Sequence, residues 1–293
     1  MKKEELDKFA VPLSVDRIIQ ILSAYLEIIN PKIEELKKVK LKMFEYFLLS
    51  TLVRMSVNVS ALIVLFPKFK EDRTFKLPIN LILRSIVSDY LTIAYLLTFK
   101  DPNDATNVAI INEIKVLDLD FVKFQQAMLI EELTYLQEKE GDLWPQERMT
   151  ERLNKFYNDN LDSFIEKNQE FVPKPRSSFR STTPNSILEE GDVRNSKILD
   201  SDKFKRLKSF GLIDFTTPAY LPFKYFSQFQ HPCSNMDELL MSKPIIIDNR
   251  MILMALDLLF VGSIQIFRNI INDEDLDLQI KKLQEDILDL VKK

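Results

Sequence analysis

The sequence predicts an all-α protein, a multi-helix bundle with long helices, and three observations carry that expectation. Glycine is scarce: Gly141, Gly191, Gly211 and Gly262 are the four in 293 residues, against about 7% in an average chain, so tight turns and hairpins have little material. Leu, Ile, Lys and Glu are abundant, and apolar residues recur at spacings of three and four, the period of a helix buried on one side. An apolar share of 46% beside 29% charged residues supplies a sizeable core. The expected organisation is a single domain over 1–293, with a core at about 13–270, a loop excursion at 172–198 and a C-terminal helix at 273–292.

The elements follow in order. Ser14 reads as the cap of a first helix whose stripe is Val15, Ile18, Leu22, Tyr25 and Ile29. Pro31 reads as a break or kink before a second helix, whose Lys37, Lys38, Lys40 and Lys42 form a solvated face. Pro67 and the polar run through Thr74 separate the second helix from a third, and Asp101-Pro102-Asn103-Asp104 separates the third from a long fourth at about 104–140. After Trp144-Pro145, residues 146–171 return to helical spacing through Met149, Leu153, Phe156, Leu161 and Phe164. Pro173, Pro175 and Pro184 among serines, threonines and arginines then mark the loop. Later helices are expected near 202–210, 219–231 and 245–270. The last stripe, Leu276, Ile280, Leu283, Ile287 and Leu290, either docks on the first helix or forms a dimer seam.

Three stretches, 45–66, 79–99 and 251–267, are almost apolar enough to span a bilayer. Each is interrupted by charge: Arg54 in the first, Arg84 and Asp89 in the second, Asp257 in the third. Central charge is poorly tolerated in a spanning helix, so no membrane partner is expected and these read as the covered central helices of a soluble bundle. Ser50, Arg54 and Asn58 line one edge of the first. Asn80, Arg84, Ser88, Thr92 and Tyr95 line one edge of the second. Buried charges need partners, so the two arginines and two aspartates are expected to meet one another. That meeting is either an ion-pair network that fixes helix register or a polar cleft that binds an anion.

Several function classes fall away. A Rossmann fingerprint or a P-loop has no glycines to build it. One histidine and one cysteine, Cys233, give no zinc site and no internal disulfide, and no Glu-x-x-His pair exists for a di-iron bundle. No metal and no cofactor are expected. The opening Met1-Lys-Lys-Glu-Glu-Leu-Asp-Lys lacks the apolar core of a signal peptide, which with the lone cysteine gives a cytoplasmic expectation. The net charge is −4, yet residues 172–210 hold nine Lys or Arg against five Asp or Glu, a local basic stretch able to attract a polyanion.

The single histidine, His231, is the residue whose ordinary pKa lies nearest neutrality. It ends the segment Tyr225-Phe-Ser227-Gln-Phe-Gln-His231-Pro, which places Ser227 one helical turn before it. The run Leu81-Ile-Leu-Arg84-Ser-Ile-Val-Ser-Asp89-Tyr-Leu and this later segment together resemble a widespread bacterial family of helical proteins of unknown function. Its members pair an arginine-and-acid helix with a later Tyr-x-x-Ser-x-x-x-His type of helix. The architecture is similar to the HEPN (higher eukaryotes and prokaryotes nucleotide-binding) domains, many of which are RNA-cleaving dimers in toxin or defence systems. The match spans residues 45–270, and its specific part is the two short segments. It departs in two places: the acid falls one residue late, at Asp89 with Ser88 in the usual position, and no arginine lies four to six residues before His231.

The resemblance implies a cytoplasmic, RNA- or nucleotide-directed protein of bacterial stress or defence. If it is an enzyme, it is a metal-independent ribonuclease or a nucleotide-acting one. His231, Ser227 and Arg84 are then the catalytic candidates, and Arg54, Asp89, Tyr225 and Asp257 the binding candidates. The alternative is a non-catalytic helical protein-interaction module, acting as a homodimer or on a protein partner.

Overall fold

A computed structural model describes residues 14–101, 103, 106–167, 170–180, 199–211, 213–230 and 246–292. The class is the expected one: ten α-helices and a single two-stranded sheet are found among these residues. In order they are α1 Val15–Leu36, α2 Met43–Glu71, α3 Lys76–Leu97, α4 Val108–Glu140, α5 Gln146–Asp159, β1 Phe164–Lys167, β2 Glu170–Pro173, α6 Arg176–Arg180, α7 Asp200–Ser209, α8 Ile213–Ser227, α9 Ile246–Ile270 and α10 Glu274–Lys292. By contacts the chain divides into two compact units, Met1–Thr98 with Asp200–Lys293, and Phe99–Leu199.

The first unit is built around α2, α3 and α9, which pack on one another. The apolar stretches Met43–Phe69, Lys76–Leu97 and Asp248–Ile270 are each long and apolar enough to cross a membrane. Other helices cover them in part: α1 lies on α2, α10 on both α9 and α1, and α7 and α8 on α3, and the share of each apolar stretch that is buried rises from 44% in the first to 61% and 72% in the others. The covering helices α1 and α10 are amphipathic. Val15, Ile18, Leu22, Tyr25 and Ile29 of α1, and Leu276, Ile280 and Ile287 of α10, are buried, while Arg17 of α1 reaches Asp286 of α10 across the surface at 3.1 Å. The last helix therefore docks on the first, the plainer of its two expected roles.

Two contacts fix how closely α9 approaches α1 and α2. Tyr25 Oη donates to Ser263 Oγ at 2.8 Å, whose own proton goes to Leu259 O, and the Tyr25 ring meets Phe260 edge-on. Burial pushes the Tyr25 phenol well above its ordinary pKa. At Gly262 a side chain would come within 3.2 Å of Met55 Cε, so the missing Cβ is what lets α9 lie against α2. Asparagine shares the positive-φ positions next to helix ends with Gly141 and Gly211. Asn272, φ 49°, closes α9 with its N–H on Phe267 O at 3.0 Å.

Several local expectations are corrected. Ser14 stands at the N-cap of α1 without a side-chain cap bond. Pro31 and Pro67 lie inside α1 and α2 rather than ending them. A helical proline removes one backbone bond at a cost of roughly 3 kcal/mol, and burial of Ile29, Ile33 and Leu36 around Pro31 offsets it. The break falls instead at the lysine-rich residues 37–42, so Lys37, Lys38 and Lys40 join helices rather than line one. In the second unit α5 stops at Asp159, and Phe164, read as helical, starts an antiparallel hairpin with Phe164 opposite Pro173. Aromatic packing explains it: Phe164 meets Phe156 and Tyr157 edge-on, and Phe171 stacks on Tyr157 at 4.6 Å. The expected loop at 172–198 thus begins as the end of a strand and the short α6, whose Arg176 pairs with Asp120 of α4. Residues 181–198 lie outside the described residues.

Candidate functional site

Helix α3 carries two polar edges, and each faces a different neighbour. Toward α2, Arg54 Nε and Nη2 donate to the two oxygens of Asp89 at 3.0 and 2.5 Å, and Asn58 Nδ2 donates to Ser85 Oγ at 3.3 Å. Partners 54 with 89 and 58 with 85 set two antiparallel helices in one register. The stripe Ser50-Arg54-Asn58 therefore meets Ser85 and Asp89, not the stripe through Asn80, Arg84, Ser88 and Thr92. Five helical residues separate Arg84 from Asp89, a rotation of about 140°, so the two point to different sides of α3.

The second edge faces the late helices. Arg84 Nε donates to Ser227 Oγ of α8 at 3.2 Å, and its guanidinium lies 5.0 Å from the Phe223 ring centre. Ser227 gives its own proton to Phe223 O at 2.6 Å, one turn back in α8. Farther along α3, Lys203 Nζ of α7 donates to Thr92 Oγ1 and to Asp200 Oδ1, each at 3.0 Å, and Arg206 Nε donates to Thr98 Oγ1 at 2.5 Å. Asn80 Nδ2, on the same edge, is buried with no acceptor among the described residues.

At the start of α3, Lys76 pairs with Asp248 of α9 at 3.1 Å, both side chains buried, and lies 5.8 Å from the Phe229 ring centre. Sequence reading missed this pair and missed Lys203 and Arg206. Lys203 and Arg206 had a signal: they share a face of α7 with Phe204 and Leu207, all four buried. Lys76 had one too, since it extends the stripe Asn80, Arg84, Ser88 and Thr92 by one turn at the same spacing of four; its partner Asp248, 172 residues away, had none.

The candidate residues thus sort as follows. Arg54 is brought to Asp89, and Arg84 to Ser227. Tyr225 packs edge-on against Phe226 and Phe229 at 5.4 and 5.7 Å. Asp257 takes a hydrogen bond from Gln284 Nε2 of α10 at 2.7 Å rather than meeting an arginine. His231 and Cys233 lie outside the described residues.

Burial dominates the electrostatics. It holds the Asp89 carboxyl above the usual carboxylate range, although the hydrogen bond and charge of Arg54, and the charge of Lys203, pull the other way. Asp257 is raised by burial against the opposing hydrogen bond of Gln284. Tyr90 is pushed up to about 12 by burial and by the charge of Asp257. Ser227, whose proton is committed to its own helix, is set up to orient Arg84 and not to attack. No carboxylate pairs with Arg84 among the described residues, and its contacts there are Ser227 and the Phe223 ring. No group of three His, Cys, Asp or Glu able to hold a metal occurs among the described residues.

Comparison with known proteins finds no matching family model, no matching curated protein and no matching solved structure.

Proposed function

We propose that the first unit is a HEPN-like helical core in which the contact of α3 with α8 forms a phosphate-binding site for RNA or a nucleotide, in a cytoplasmic protein of bacterial stress or defence. One observation carries the reading. The two segments on which the resemblance rests, 143 residues apart at Arg84 and Ser227, are joined by a direct hydrogen bond. Arg84, stacked on Phe223 and held by Ser227, offers a planar fork for a phosphate. Arg54 is fixed by a buried carboxylate while its side chain stays 55% exposed, but it lies on the α2 side of α3 and is an oriented donor apart from the Arg84 site. His231, four residues after Ser227 in the chain, supplies the acid–base group, and neither binding nor proton transfer calls for a metal.

The three apolar helices are read as the interior of a water-soluble bundle. Two observations support this: a charge pair, Arg54 with Asp89, midway along α2 and α3, and the amphipathic covering helices α1 and α10. Carbonate extraction of expressing cells tests it, with the chain in the soluble fraction as the expected outcome. Binding and cleavage of single-stranded RNA by wild type, Arg84→Ala and His231→Ala test the site. Both variants should keep the helical circular-dichroism spectrum. Arg84→Ala should lose binding and cleavage, whereas His231→Ala should lose cleavage alone.

A second reading, a non-catalytic protein-interaction module, is favoured by an exposed apolar stripe on α4.

A further inference from the structure

Helix α4 runs for 33 residues, and its two halves differ. Seven side chains on it are buried, and six of them, Ile110, Glu113, Ile114, Val116, Leu119 and Val122, precede residue 123. On the outer face Phe121, Phe124, Met128 and Tyr135 are 60%, 61%, 50% and 59% exposed. Their spacings of three, four and seven residues put them on one line, the seam of a helix that packs lengthwise on another. Four large apolar side chains aligned in this way are not the scatter of a normal surface.

The charges beside the seam decide what covers it. Residues 117–140 hold six acids against two bases, Lys123 and Lys139; Asp120 and Glu132 are already paired with Arg176 and Arg152, which leaves Asp118, Glu131, Glu138 and Glu140. Glu131 falls on the seam itself, midway between Met128 and Tyr135. A second copy laid antiparallel on this face would set acid against acid and bring Glu131 onto the partner's aromatic residues, and like charges across a seam oppose pairing. A helix with Lys or Arg beside its apolar stripe meets Glu131 and Glu138 with complementary charge.

We propose that the outer face of α4 between Phe121 and Lys139 docks a basic amphipathic helix of a partner protein. Phe121, Phe124 and Met128 form the apolar anchor, and Glu131 and Glu138 select the basic flanks. The proposal identifies the partner chemistry of the interaction-module reading. It rests on the second unit alone, so the phosphate site can fail without it.

The test titrates the full chain into a fluorescent synthetic helix of about 20 residues, with Leu at heptad a and d positions and Lys or Arg beside them. A scrambled peptide of the same composition is the control. The ordered peptide should bind at least tenfold more tightly than the scrambled one, and less tightly as salt rises, as charge screening requires. Phe121→Ser with Phe124→Ser should weaken binding at least tenfold. These side chains are mostly in water, so the variant should melt where wild type does. Glu131→Lys with Glu138→Lys should weaken binding by a similar factor, and Arg84→Ala should leave it unchanged. Equal binding of the scrambled peptide, or full binding by the phenylalanine variant, overturns the proposal. So does sedimentation showing a dimer that Phe124→Ser dissolves, because a second copy is then the occupant.

Discussion

Two ion pairs tie α3 to its neighbours, and they differ in how much water they see. Lys76 and Asp248 are both buried, at 5% and 4% side-chain exposure, whereas Arg54 is 55% exposed over an Asp89 at 7%. The first pair has both charges removed from water and must satisfy them internally, so it serves the fold. The second removes only the acid. Its arginine is gripped on one side and open on the other, which is how a scaffold presents a cation to a ligand. A charge pair in a helical core is thus informative about function only when one member stays wet.

The largest effect expected from this contrast is at Lys76. Lys76→Ala removes the buried cation that faces Asp248, and thermal or urea unfolding at pH 7 should show a loss of about 3 to 5 kcal/mol. Lys76→Met with Asp248→Leu should recover most of that stability, because an apolar pair of similar size avoids the desolvation. A stable Lys76→Ala would make the two pairs equivalent and break the comparison.

Arg54→Ala should cost less, about 1 kcal/mol at pH 7, since a half-exposed arginine is screened by water. The loss should shrink as pH falls through the raised Asp89 pKa, because the protonated carboxyl needs no cation. Weakened RNA binding at unchanged fold would sharpen the distinction, because it assigns the open side of Arg54 to a ligand.

The smallest effect is at Asp257, whose partner is the neutral Gln284. Its folded pKa lies above the ordinary carboxylate value, so the folded chain holds this proton to higher pH than the unfolded chain does. The stabilisation is complete below the unfolded pKa of about 4 and is lost as pH rises through the raised folded value. Asp257→Asn should therefore melt at a higher temperature than wild type at pH 7, with the difference fading toward pH 4. A melting difference independent of pH would show that Asp257 does not carry that cost.

What was legible in the chain follows from the range of the signal. The all-α class is a local property, repeated in every stripe, and it was readable. Arg54 and Asp89 belong to the four charges expected to meet one another, because a charge in an apolar helix has few alternatives, but which arginine meets which aspartate is not readable. Their register was not readable: α3 has polar residues on two edges, and spacing alone does not choose between Ser85 with Asp89 and Arg84 with Ser88. Asp257 was expected to meet an arginine, but an amide from the last helix lies closer, a contact that no periodicity encodes. Proline was overweighted at Pro31 and Pro67, where flanking burial outweighs one missing backbone bond. Phe164 continued a helical spacing by chance, and only its packing on Tyr157 reveals a strand. The junction of Arg84 with Ser227 joins two candidate residues 143 positions apart, and nothing in their spacing encodes it.

The central claim is that the contact of α3 with α8 holds an arginine for a phosphate. The most direct measurement is the affinity of labelled single-stranded RNA for wild type and for Arg84→Lys, which keeps the charge and loses the planar fork stacked on Phe223. The account predicts at least a tenfold weaker complex for Arg84→Lys at an unchanged melting temperature. Equal affinity in the two proteins, or no RNA binding by wild type, would contradict it.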